Sequence, residues 1–394
     1  MKTKLWQVTG AKLDPMIEDY TVGEDNVLDQ RLLGYDIRAS KAHVAMLGSI
    51  GILDKSGSKK LIAALDQLHK EWKAGMFQVR PEHEDGHTAI ELYLTEKLGD
   101  LGKKVHTARS RNDQALVMMR LYLKDSLDRI DGSLATLVDA YGISAKRAGD
   151  IAMPGYTHGQ KAMPTTVAAW LGSFAAGFDD LHTMLNAALR LVDQNPLGSA
   201  AGFGVDLPVD RDMTAKELGF GKVQDNPMYC GLSRGLFELV AVQALSPVMV
   251  LAGKFARDML MFTGQEYGFF SLPAELTTGS SIMPHKRNYD LFEIMRGHAD
   301  AFGGHMIRLQ AIAGGAGSGY NRDLQLTKGV VLQAFDTAKA TLDVLTLAVP
   351  RIKPDKDALS KAMTDELFTV ARINELVGQG VPFRDAYMRV KGML

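Results

Sequence analysis

The chain has 394 residues, 46% hydrophobic and 23% charged, an ordinary globular composition with room for two or three domains. Its 45 basic and 46 acidic residues leave a formal net charge of -1, which excludes a strong global field for nucleic acid or an anionic membrane. A single cysteine, Cys230, excludes a disulfide framework and a cysteine-based zinc site and fits a reducing compartment.

Residues 1–105 read as short helices and loops. Their start, Met1 to Gln7, lacks the apolar run of a secretory signal. No run of about 20 uninterrupted apolar residues occurs, so no membrane-spanning helix is expected and the cytoplasm is the expected location. His83-Glu84-Asp85-Gly86-His87 matches H-E-x-x-H, the helix motif of zinc proteases. That motif needs an unbroken helix with both histidines on one face. Pro81 just before it and Gly86 within it argue against such a helix.

Next comes Val105-His106-Thr107-Ala108-Arg109-Ser110-Arg111-Asn112-Asp113-Gln114. Ser110, Asn112 or Asp113 can cap a following helix, whose N-terminus, with Arg109 and Arg111 beside it, favours an anion. Leu116, Met119, Leu123, Leu127, Ile130, Leu134, Leu137 and Tyr141 then recur in steps of three and four. They predict one long helix with an apolar seam, roughly 40 Å over this span. Met153-Pro154-Gly155-Tyr156-Thr157-His158-Gly159-Gln160 reads as a turn that presents Thr157 and His158. A histidine in such a place can serve as general acid or base.

A second seam runs through Val167, Leu171, Phe174, Phe178, Leu181, Leu185, Ala188 and Val192. Gly198-Ser199-Ala200-Ala201-Gly202-Phe203-Gly204 lacks both the G-x-G-x-x-G spacing and a preceding strand, and reads as a packed turn rather than a nucleotide loop. From about Gly231 to Thr263 the chain is apolar nearly all round, with Pro247 expected to kink it. A helix with no polar face is buried on every side, within a bundle or between subunits. Thr277-Thr278-Gly279-Ser280-Ser281-Ile282-Met283-Pro284-His285-Lys286-Arg287-Asn288 is a loop able to order around an anion: hydroxyls and backbone N–H groups donate, and Lys286 and Arg287 supply charge. A third seam, Val331, Phe335, Ala338, Leu342, Leu345 and Val349, leads to a C-terminal piece set off by Pro350 and Pro354. Alternating strand patterns are scarce. The expected fold is all-α, with an N-terminal region 1–105, a long-helix region 106–348 and a small C-terminal region 349–394.

These segments together resemble one family. Gly279 to Asn288 is similar to the G-S-S-x-M-P-x-K-x-N signature of the fumarase/aspartase superfamily. His106 to Gln114 is similar to the H-T-G-R-S-R-N-D-Q stretch of argininosuccinate lyases, with Ala108 in place of glycine. Met153 to Gln160 resembles M-P-G-Y-T-H-L-Q, with Gly159 in place of leucine. Asp25 falls where relatives carry a serine, and Tyr289 replaces a proline. The likeness runs from about residue 5 to 390.

The resemblance implies an all-α long-helix bundle in a homotetramer, with each active site shared between subunits. It implies anti elimination of argininosuccinate to arginine and fumarate, with no metal or organic cofactor. Ser280 matches the base, with Ser281 beside it as the other candidate. His158, oriented by Glu293, matches the group that protonates the departing nitrogen, and Lys286 and Asn288 match those that receive the developing charge. Asn112, Thr157, Tyr320, Gln325 and Lys328 match substrate-binding positions, and Arg111 joins them as a cation at the first long helix. Competing readings are another fumarate-releasing lyase (for adenylosuccinate or an N-acylated argininosuccinate), a non-enzymatic scaffold and a zinc protease.

Overall fold

The structure is a computed structural model that describes residues 14–393. The expectation about a leader at Met1 to Gln7 lies outside the described residues. α1 (Pro15–Val22) opens with proline at its first turn and Asp14 as cap, whose carboxylate accepts the Met16 N–H. α2 (Asp25–Ser49), α3 (Lys55–Lys73), α4 (Gly86–Leu98) and α5 (Asp100–Lys103) follow. Asp54 and Asp85 cap α3 and α4.

α6 (Arg111–Ala148) has 38 residues, about 57 Å at 1.5 Å per residue. Every predicted seam position from Leu116 to Tyr141 is buried along it. β1 (Ala152–Thr157) and β2 (Gln160–Thr166) then form an antiparallel hairpin. The second seam is two helices, α7 (Val167–Asp180) and α8 (His182–Val192). At Leu181 the N–H bonds to the Phe178 and Asp179 carbonyls instead of reaching back four residues, which interrupts the helix. Phe178, Leu185, Ala188 and Val192 still hold one buried face across that break.

β3 (Gln194–Asn195) pairs in parallel with β4 (Lys222–Val223), with α9 (Arg211–Leu218) between them in sequence. After α10 (Pro227–Leu232), Gly235 takes φ 80, so the long apolar helix α11 (Leu236–Phe262) starts later than its composition suggests. Pro247 lies inside α11. By length and mean hydropathy, 1.8, α11 would qualify as a membrane span, against the expectation from uninterrupted runs. It is however 61% buried within the protein over its most apolar window, as the core helix of a globular fold is.

β5 (Phe270–Ser271) pairs with β8 (Lys353–Pro354), and β6 (Thr278–Gly279) with β7 (Arg287–Asn288), both antiparallel. The remaining helices are α12 (Asp290–Ala301), α13 (Gly303–Gly315), α14 (Thr327–Ala348), α15 (Lys356–Ala362), α16 (Thr369–Gly378) and α17 (Phe383–Lys391). The third seam is buried along α14 and through Val349. The fold is all-α, with strands confined to two-stranded pairs.

Backbone contacts divide the chain into two units. One holds the residues up to Asp128, Asn186–Gln243 and His305–Ala334; the other holds Arg129–Leu185, Ala244–Gly304 and the residues from Phe335 onward. Each is assembled from separate stretches, whereas the sequence divides into consecutive regions. In the first unit, Leu33, Ile37 and Leu47 of α2 pack with Leu61, Leu65 and Leu68 of α3 and with Ile90 and Leu94 of α4. In the second, aromatic rings dominate: Trp170 stacks on Phe270 at 4.9 Å, and Phe255 meets Phe174 at 5.0 Å and Tyr141 at 5.2 Å edge to face.

Among the described glycines, Gly102 of α5 is the one packed most tightly against another stretch of backbone. A Cβ there would lie 2.2 Å from the Leu94 carbonyl oxygen of α4. Backbone cannot swing aside as a side chain does, so Gly102→Ala is expected to destabilise the protein by about 3 kcal/mol. A lowered midpoint in thermal denaturation is the check; an unchanged midpoint would mean that α5 is free to move off α4.

Candidate active site

Ser110 caps α6. Its hydroxyl accepts the Asn112 N–H at 3.2 Å, while Asp113 accepts the Ser110 N–H at 2.8 Å, a reciprocal arrangement that satisfies the helix start. The other Asp113 oxygen accepts the Gly198 and Ala200 N–H groups at 3.1 and 3.0 Å. The glycine-rich turn is therefore committed to holding α6. Burial raises the Asp113 carboxyl above its ordinary range, against those hydrogen bonds and Arg109.

The two arginines of this segment have separate duties. Arg109 is buried and donates to Ser40 Oγ at 3.0 Å and to the Val105 carbonyl at 2.8 Å. Arg111 lies 3.7 Å from Glu84 and 3.5 Å from Asp85, and donates to the Thr88 hydroxyl. A cavity of about 490 Å3 opens here, lined by His87, Glu91, His106, Arg109, Arg111 and Gln114 among others. Its walls come from α4, through His87, Thr88 and Glu91, and from the stretch His106 to Gln114 singled out in the sequence.

The H-E-x-x-H match does not form a helix. His83 ends a 3-10 turn, Glu84 takes φ 68, and Asp85 caps α4, which begins at Gly86. The acids instead face cations. Glu84 takes Arg322 at 2.8 Å on one oxygen and Arg111 on the other. His87 pairs with Asp36 at 2.5 Å. Burial alone would lower the His87 pKa, but Asp36, together with Asp85 and Asp29, outweighs it and leaves the imidazole above its ordinary value.

Lys328, at the start of α14, is buried against α2, 2.7 Å from Asp29 and 2.9 Å from Asp25. Burial would lower its pKa, but the two carboxylates more than reverse this. Gln325 donates to the Thr21 carbonyl at 2.8 Å. Tyr320 lies under the Arg234 guanidinium, 4.7 Å from ring centre to cation. Arg111, Asn112, Tyr320, Gln325 and Lys328 all belong to the first unit.

Thr157, His158, Ser280, Ser281, Lys286, Asn288 and Glu293 belong to the second. Thr157 pairs with Gln160, so His158 and Gly159 are the two residues of a hairpin tip, at φ 54 and 71. Such a tip needs positive φ at both positions. Gly159 adopts it freely; His158 is held there, exposed, at some cost in backbone strain. Ser280 lies between β6 and β7, and its hydroxyl accepts the N–H groups of Ile282 at 3.3 Å and Met283 at 3.1 Å. Ser281 is exposed beside it. The Asn288 amide donates to the Gly279 carbonyl at 3.4 Å, Lys286 N–H to the Met283 carbonyl at 3.0 Å, and Glu293 stands exposed in the first turn of α12.

Sequence reasoning passed over Asp29, Asp36 and His43, all fully buried. A signal existed. Asp25, Asp29, Asp36, Ser40 and His43 follow one another at helical spacing, a polar stripe through a helix whose neighbouring faces bury leucines.

A protein-family model described as Lyase matches residues 9–303. Two curated proteins named argininosuccinate lyase align over nearly the whole chain. One, from Thermotoga neapolitana, is 42% identical and is aligned over 99% of this chain and 98% of its own length. The other, from Sorangium cellulosum, is 44% identical over 99% and 90%. Among solved structures, an EDDS lyase in complex with formate superposes with a TM-score of 0.82 at 24% identity, covering 97% of this chain and 76% of that one. A class II fumarase from Schistosoma mansoni does so at 0.80 and 14%, covering 95% and 91%. Likeness at such low identity defines the fold, that of the helical fumarase-type lyases. On the family match and the near full-length relatives, the chain belongs to the lyase family that includes the argininosuccinate lyases.

The His87–Asp36 pair generates a pH prediction. A group whose pKa is raised on folding adds its full stability below its unfolded value and loses it as pH rises through the folded value. The stability deficit of Asp36→Asn, expected at about 3 kcal/mol, should therefore be largest below pH 6.5 and shrink above it. Denaturant titrations of both proteins across that range are the check; a deficit constant with pH would mean that His87 is neutral throughout.

Proposed function

We propose that this protein is an argininosuccinate lyase, a carbon–nitrogen lyase that releases fumarate and leaves arginine. The observation that carries the reading is identity of 42% and 44% to proteins of that name over 99% of the chain, with the candidate catalytic residues all present.

The hard step is removal of a weakly acidic proton beside a carboxylate. The anion that results needs donors already in place. Ser280 is the base in this reading. Two backbone N–H groups already point at its oxygen, and hydrogen bonds to the charged form favour that form. Among the described residues no backbone N–H pair points at the Ser281 hydroxyl, which favours Ser280 as the base. Lys286 and Asn288, on the same hairpin, receive the developing carboxylate charge. His158, displayed at its hairpin tip, delivers a proton to the departing guanidinium nitrogen, with Glu293 as its orienting carboxylate. Arg111, Asn112, Thr157, Tyr320, Gln325 and Lys328 hold the substrate.

The reading includes a homotetramer whose subunits complete one another's sites, with the long helices of 106–348 at its centre. Its support is a stripe on α11. Leu236, Gln243, Val250 and Arg257 recur every seven residues and are exposed, Leu236 by 43% and Val250 by 50%. A heptad stripe is what a helix presents to a partner helix. Val344 and Leu347 of α14 and Ile143 of α6 are exposed as well. A cytoplasmic location accompanies this reading, supported by a lone cysteine that is free and buried.

Purified protein is expected to raise the ultraviolet absorbance of fumarate when given argininosuccinate. Ser280→Ala and His158→Asn should each lower kcat by about 10²- to 10⁴-fold with the assembly intact. Near-normal turnover in Ser280→Ala would transfer the base to Ser281. Light scattering giving a monomer mass for active protein would sink the shared-site arrangement.

A further inference from the structure

The hairpin that displays His158 is held loosely by its own ladder. The register shifts between Pro154 and Tyr156, and beyond that irregularity two pairs lead to the tip, Tyr156 with Lys161 and Thr157 with Gln160. Such an irregularity bends a strand and interrupts its ladder, and a two-stranded hairpin alone is marginal in water. Thr157, His158, Gly159 and Gln160 are all exposed. The tip therefore takes its direction from whatever anchors the Tyr156–Lys161 pair.

Both members of that pair are anchored, and within one unit. Tyr156 packs against the rings of Phe262, the last residue of α11, at 6.0 Å and of Tyr267 at 5.8 Å. Lys161, directly across the ladder, reaches the C-terminal region instead. Its ammonium donates to Thr364 Oγ1 at 2.9 Å, 203 residues on, and lies 3.9 Å from the Glu366 carboxylate. The Thr364 hydroxyl spends its one proton on Glu366, so its oxygen is left to accept from Lys161. Ammonium, hydroxyl and carboxylate form an ordered chain at the 3-10 turn Asp365–Phe368. The Thr364 bond, the Glu366 backbone N–H and Lys161 hold the Glu366 carboxyl below its ordinary range, which keeps it charged.

We propose that Lys161 is a positioning residue: by tying the hairpin to Thr364 and Glu366 it fixes the angle at which the tip presents His158, so that the C-terminal region serves the proton transfer without touching substrate. This rests on the reading of His158 as the acid. At about 3.3 Å per residue His158 lies about 7 Å beyond the Tyr156–Lys161 pair, so a tilt of roughly 10° there moves it by about 1 Å. A misplacement of that size costs about 10²-fold in rate. Stability responds differently. Lys161 keeps 29% of its side-chain surface and Glu366 54%, and an ion pair so exposed contributes little. The signature of the tie is lost rate in a normally stable protein.

The test is steady-state kinetics of Lys161→Met, Lys161→Arg and Thr364→Val in the assembled protein. Lys161→Met keeps the length of the side chain and removes its charge. It should lower kcat by about 10- to 10²-fold, change KM by less than about twofold and leave the thermal midpoint in place. Thr364→Val should reproduce that loss from the other end of the tie. Lys161→Arg should restore the rate, since a guanidinium also donates to hydroxyl and carboxylate. Combined with His158→Asn, Lys161→Met should cost nothing more, because a residue that acts through His158 has no effect once the imidazole is gone. Amide hydrogen exchange over residues 152–166 reads the tie with no substrate present and should quicken in Lys161→Met. Unchanged kcat in Lys161→Met, a loss that Lys161→Arg does not restore, or a loss that persists beside His158→Asn overturns the proposal. Faster exchange in a protein that does not turn over argininosuccinate would sink the assigned activity and leave the tie standing; turnover with exchange and kcat unchanged would do the reverse.

Discussion

The buried carboxylate of Asp29 is the constraint on which the first unit depends. One of its oxygens holds Lys328, nearly 300 residues away in sequence, and the other holds the backbone at Gly86. It thereby joins α2, the start of α14 and the start of α4 at one point. Removing one partner of such a pair leaves a buried charge unanswered, typically at 3–5 kcal/mol. From that joint the chain of ion pairs continues: Asp85 and Glu84 precede Gly86, Arg111 meets both, and Arg322 takes the far side of Glu84. Lys328 and Arg111, two of the positions matched to substrate binding, are thus cations already oriented by buried carboxylates rather than loose surface charges. Orientation before binding lowers the entropy lost when a substrate arrives.

Backbone strain is concentrated in the same motifs. Among the described residues, Glu84, Ala108, His158 and Ala200 are the non-glycine positions with positive φ. Glu84 holds Arg111 and Arg322, Ala108 precedes Arg109, His158 is the proposed acid, and Ala200 donates to the Asp113 that fixes the α6 cap. A left-handed alanine costs about 1–2 kcal/mol relative to glycine. It persists because the contacts on either side leave no other path for the chain. The resemblance puts a glycine where Ala108 stands, and the φ of 60 explains why glycine suits that position.

The apolar seams show how far periodicity carries. Leu116 to Tyr141 and Val331 to Val349 are buried at each predicted position, because a stripe of large side chains at helical spacing has no other way to leave water. Leu181 shows its limit. The stripe continues through it while the hydrogen bonding changes, and apolar spacing carries no record of a single shifted bond. The α11 helix shows another limit. Composition announces burial on all sides, but not that Leu236, Gln243, Val250 and Arg257 are left exposed by the chain itself.

By itself the sequence determined the all-α class, the long helices and the motifs, since these rest on local spacing and on residue types that chemistry requires. It read Met153 to Gln160 as one turn, whereas Ala152–Thr157 is a strand and the chain turns only at His158 and Gly159, because a local Pro/Gly signal carries no record of the β2 partner that makes a strand. It left the partners of those motifs open. That Lys328 finds Asp25 and Asp29, that Asp113 is cradled by the Gly198 turn, and that Tyr320 lies beneath Arg234 were decided only by the tertiary structure. Each pairing joins residues distant in the chain, and a buried charge takes whichever partner packing delivers within reach.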